Sequence, residues 1–97
     1  MPNINSDALI GRGWKEHYSG FPADLFYAEA GGDSPWATTP HLHINYAIGG
    51  TLQSLTYKNT MNQNTYLYNG AHFDNTAINA IGEAAIKAEA QHIQGLV

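Results

Sequence analysis

The clearest pattern in the chain is the run 41–48, where apolar and polar residues alternate. Leu42, Ile44, Tyr46 and Ile48 fall on one face and His41, His43, Asn45 and Ala47 on the other. This is a strand with one buried face. Gly49-Gly50 follows and offers two positive-φ positions, so a two-residue turn should return the chain into a second strand at 51–58. Partners in that hairpin sum to 99. His41 then faces Lys58, His43 faces Thr56, Asn45 faces Ser54 and Ala47 faces Leu52 on one side. Leu42 with Tyr57, Ile44 with Leu55, Tyr46 with Gln53 and Ile48 with Thr51 occupy the other.

Two further strands flank the hairpin. Residues 24–30 are rich in aromatics and end at Gly31-Gly32, and residues 64–68 sit between a polar loop at 59–63 and the turn signal Asn69-Gly70. Ser6 and Asp7 can cap a short helix that carries Leu9, Ile10 and Trp14, with Gly11 and Gly13 working against it. From 75 or 76 to about 94 the period becomes helical. Ile78, Ile81, Ala85, Ala88, His92 and Ile93 share an arc, Asn79, Glu83, Lys87 and Gln94 lie opposite, and Gly95 is the expected stop. Glu89 falls inside the apolar arc and needs a partner there. The expected fold is α+β: a small antiparallel sheet of three to four strands, a meander with a central hairpin at 41–58, packed against one long C-terminal helix. A single domain spans 1–97.

Composition narrows the chemistry. There is no cysteine among the 97 residues, so disulfides and thiolate metal sites are excluded and any metal must be held by His or carboxylates. Four Lys/Arg against eight Asp/Glu, a net charge of −4, argue against a broad footprint on long nucleic acid. The N-terminus has neither the basic region nor the apolar run of a signal peptide, and no transmembrane segment follows; the expectation is a soluble chain of unassigned compartment with no membrane partner.

The polar face of the hairpin gathers His41, His43, Asn45, Ser54, Thr56 and Lys58. Two imidazoles, an ammonium and two hydroxyls suit a phosphodiester, RNA or a small phosphate ester. One His would act as base on a ribose 2′-hydroxyl and the other as acid to the leaving oxygen, while Lys58 stabilises the phosphate charge. His41, His43, Lys58 and Thr56 are the expected catalytic set, with Asn45, Ser54 and Trp36 as substrate-binding groups and Tyr27 or Tyr66 as further stacking surfaces. No cofactor is required.

Zinc is the alternative, held by His41 and His43 with His72 as third ligand; the fixed charge of Lys58 opposite His41 opposes it. His17 can join either site, though its expected role is that of a surface residue near the charged pair Lys15-Glu16. Glu89 and His92 lack the second Glu-x-x-His that a di-iron site needs. This face resembles the His/Lys/Ser/Thr-bearing sheets of small metal-independent ribonuclease toxins that bacteria deploy against competitors. The resemblance covers one strand pair, under a fifth of the chain, and implies RNA cleavage without metal.

Two plainer readings compete. A His-x-His on an outer strand face can be ordinary solvated surface, and Trp36 can simply pack back on the body. A non-enzymatic protein, such as an inhibitor, an immunity-type protein or a phage accessory factor, would dock through an exposed aromatic patch or an unpaired edge, with 24–30 as the candidate strand; a small core also invites a homodimer.

Overall fold

In a computed structural model, which describes residues 4–18, 20, 22–28, 40–59, 61 and 63–97, the chain runs α1 (Ser6–Ile10), β1 (Lys15–Tyr18), β2 (Ala23–Ala28), β3 (His41–Tyr46), β4 (Leu52–Lys58), β5 (Asn64–Tyr68), α2 (Asn75–Asn79) and α3 (Ala84–Leu96). The strands form one antiparallel sheet in the order β1-β2-β3-β4-β5. The α+β class stands, but the expected three to four strands become five.

The added strand is β1. Its four residues, Lys-Glu-His-Tyr, carry no apolar alternation because an edge strand exposes most of what it holds. Its presence also changes β2, the expected free edge, which is paired on both sides and therefore interior. Glu29 and Ala30, the last two residues expected in that strand, lie outside the described residues.

The single long helix is also corrected. It breaks into α2 and α3 around Gly82, with Ala80 closing the first piece and Glu83 opening the second. Asp74 caps α2 by accepting from the Ala77 amide at 3.0 Å. Glu83 turns from the expected solvent face to the sheet, where it accepts a hydrogen bond from the Tyr57 hydroxyl. Helix α3 continues through Gly95, which does not stop it.

Register in the central hairpin follows the sum of 99 from His41–Lys58 through Asn45–Ser54. It then shifts, and Tyr46 pairs with Leu52 in place of Gln53. The turn is longer than two residues: the Gly50 amide donates to the Ala47 carbonyl, with Gly49 and Gly50 at φ of 93° and 88°. Ile48 is thereby lifted off the apolar face and is 76% exposed.

The core lies on one side of the sheet. Leu25, Leu42, Ile44, Tyr46, Leu55 and Leu67 pack against Leu9 of α1, Ile78 of α2 and Ile86, Ala90 and Ile93 of α3. Trp14, just before β1, is buried there and donates its indole N–H to Glu89 at 2.9 Å; Arg12 completes the carboxylate's shell through Nε at 3.1 Å and Nη2 at 2.9 Å. The charge inside the apolar arc is thus a tie between α3 and the start of β1.

Candidate functional site

With the helices on one side, the other side of the sheet carries most of the strands' polar residues, together with the buried Phe26, Ala28 and His41. Directly paired residues of antiparallel strands share a face, so the register defines three rows across it. Lys15, Phe26, His43, Thr56 and Tyr66 form the middle row, Tyr18, Asp24, Asn45 and Ser54 the second, and Ala28, His41, Lys58 and Asn64 the third.

At the crossing of the first two rows three strands meet in one cluster. The Asp24 carboxylate lies between two imidazoles, Oδ1 at 3.3 Å from Nδ1 of His43 and Oδ2 at 3.2 Å from Nδ1 of His17. The ring centroids of the two histidines are 5.7 Å apart in an edge-on arrangement. His17 reaches the carboxylate because β1 is irregular between Glu16 and Tyr18, which makes His17 an extra residue in the ladder. Phe26 supports both rings, at 6.3 Å from His17 and 6.2 Å from His43.

The cluster is graded in exposure. The His17 side chain is 40% exposed, Asp24 24% and His43 22%, so a solute can approach from the His17 side while the other two groups are held by their neighbours. His41 differs. It is 1% exposed and stacks edge-on against His43 at 4.8 Å, which gives it a packing position behind His43.

The remaining expected residues divide in two. Thr56 is directly across from His43, Lys58 is across from His41, and Asn45 donates through Nδ2 to Ser54 Oγ at 3.3 Å, so these four share the outer face with the histidines. Tyr66, also on this face, is exposed. Tyr27 belongs to the core side, where it tilts against Trp14. His72 sits exposed in the segment after β5, with its amide donating to Asn69; among the described residues the cluster spaced for a metal is His17, Asp24 and His43. Trp36 lies outside the described residues.

Asp24 is the member of this cluster that sequence reasoning did not single out, having the look of an ordinary strand residue, and His17 is one that it allowed to join either site. The alternation of 24–28 contains a signal for Asp24, since Leu25 and Tyr27 face the core and residue 24 must face away. Comparison with protein-family models, with curated proteins and with solved structures finds no significant match for the chain.

Proposed function

We propose that this chain is a small hydrolase of phosphodiesters, with RNA as the substrate class, working by general acid–base catalysis from His17 and His43. One observation carries the reading: a single carboxylate faces the Nδ1 atoms of two partly exposed imidazoles. A carboxylate only accepts, so it favours the tautomer with the proton on Nδ1 and makes Nε2 the basic nitrogen of each ring.

One imidazole takes the proton of the ribose 2′-hydroxyl, and the 2′-oxygen bonds to phosphorus. The bond to the 5′-oxygen breaks, and the second imidazole, as imidazolium, protonates that leaving group. The product is a 2′,3′-cyclic phosphate, and water opens it with the two roles reversed. His43 keeps the role expected for it, and His17 replaces the buried His41 as its partner.

Thr56, opposite His43, holds a phosphate oxygen, and Lys58, two residues along β4 or about 6.7 Å, supplies positive charge to a chain that is acidic overall. Asn45 and Ser54 line the site, and Tyr66 offers a stacking surface. No step in this scheme needs a metal.

The test is cleavage of total tRNA by the purified chain in EDTA. Wild type should cleave, and His43→Ala and His17→Ala should each lose about 10²-fold or more in rate, the scale of general acid–base catalysis, with unchanged circular dichroism. Intact RNA, or full activity in His43→Ala, overturns the reading.

A second reading, a self-associating or docking protein, is favoured by β5. Among the described residues it ends the sheet, its Asn64, Thr65 and Tyr66 are exposed, and Met61 beside it is 75% exposed. Sedimentation at micromolar concentration tests the self-associating form, since pairing of two copies through β5 requires a dimer.

A further inference from the structure

We infer that His17, Asp24 and His43 form a binding site for one divalent transition metal of the zinc type. The inference needs no hydrolase activity. It rests first on distance. Nδ1 to carboxylate separations of 3.2 and 3.3 Å are long for a charge-assisted N–H to O hydrogen bond, which runs about 2.7–2.9 Å. Whichever carboxylate oxygen serves as the single ligand atom, its separation from the nearer Nδ1 matches one edge of a tetrahedral ligand shell, roughly 3.3 Å for metal–ligand bonds of about 2.0–2.1 Å. The three ligand atoms all lie within 4.8 Å of one another. Closing the widest pair to that edge requires a shift of about 1.5 Å at most, within reach of a side-chain rotation of the half-exposed His17.

Chemistry and surroundings agree with the distances. Two imidazoles and a carboxylate form a borderline donor set suited to zinc, cobalt or nickel and poor for calcium or magnesium, which prefer shells made of oxygen. Three protein ligands leave one tetrahedral position open, the pattern of sites that admit water or substrate. Phe26 forms an apolar wall beside both rings, and His41 packs against His43 and limits its motion. Lys58 is across from His41 in the neighbouring row, so its charge opposes a metal here less than it would one on the His41–His43 pair. Lys15, across from Phe26, is the nearer cation in register.

Of the zinc ligands expected from the sequence, His41, His43 and His72, only His43 belongs to this cluster. His-x-His at 41 and 43 has the look of a ligand pair, yet 41 is buried behind 43. The ligands come from three adjacent strands, one each from β1, β2 and β3.

The test is calorimetric titration of the purified chain with Zn²⁺ alone, with the visible absorption of Co²⁺ as a second readout. Wild type should take up one ion per chain, saturably, and Co²⁺ should show the intense band of a four-coordinate site. His17→Ala and Asp24→Asn should each weaken uptake at least tenfold while His72→Ala leaves it unchanged. Circular dichroism confirms that each variant is folded; His17, half-exposed on an edge strand, is the substitution least able to disturb the core. Absence of saturable uptake by wild type, or uptake unaltered in both His17→Ala and Asp24→Asn, overturns the inference. No RNA is present, so failure to cleave RNA and failure to bind metal are separate results.

Discussion

Replacing Glu89 by Ala removes the carboxylate that joins α3 to the segment before β1. Two kinds of interaction are lost, and they differ in size. The Trp14 indole N–H is buried and has Glu89 as its acceptor at 2.9 Å, so its loss costs about 1.5–3 kcal/mol, the range for a hydrogen bond to a charged group. The Arg12 side chain is 40% exposed and can return to water, so screening limits its share to about 0–1 kcal/mol. The sum is roughly 1.5–4 kcal/mol, a large part of the 5–15 kcal/mol that typically holds a domain together. With an m-value of about 1 kcal/mol/M, the urea midpoint followed by circular dichroism should fall by about 1.5 M or more. Glu89→Gln keeps an acceptor for Trp14 and should lose about half as much, while Arg12→Ala should lose no more than about 1 kcal/mol. A midpoint for Glu89→Ala within about 0.5 M of wild type, or a larger loss in Arg12→Ala than in Glu89→Ala, would refute the argument that the buried indole dominates.

Three further outcomes are expected. Ile93→Ala, at a fully buried position of α3, should destabilise by about 2–5 kcal/mol in the same urea assay. Burial first, and the neighbouring Glu83 second, raise the pKa of the Tyr57 hydroxyl above its ordinary 10.0. The folded form therefore keeps a proton that the unfolded chain releases. The stabilisation is complete below pH 10 and is lost as pH rises beyond it; Tyr57→Phe should flatten the decline in stability above pH 10. Finally, Zn²⁺ added in excess over chelator should suppress RNA cleavage, because a metal on Nδ1 of His17 and His43 takes the place of the protons that the acid–base cycle requires.

What could be read from the chain without coordinates follows from how each element is encoded. The 41–58 hairpin was legible through Asn45–Ser54 because a slip of one residue would expose Leu55 and Tyr57. It failed at the turn, where two adjacent glycines fit more than one loop length and the longer one puts Ile48 in solvent. Strand β1 left no periodic trace because its side chains are mostly exposed and polar. The break between α2 and α3 was muted, since Ile78 and Ile81 fit the same arc as Ile93 whether or not the helix is continuous. Site residues fared likewise: those on the hairpin could be paired by arithmetic, but bringing Asp24 and His17 to His43 requires the strand order, which no local pattern contains.

Asp24 and His43 stand on interior strands, and His17 stands on a four-residue edge. Such an edge is expected to open far more often than β3, with the rest of the domain still folded. The tie from Trp14 and Arg12 to Glu89 sits immediately before it, so that tie governs how far β1 can peel away. Amide hydrogen exchange in β1 should accordingly be fast and should quicken further in Glu89→Gln, while β3 is little changed. The site would then be assembled for only a fraction of the time, and residues on the far side of the sheet would set that fraction.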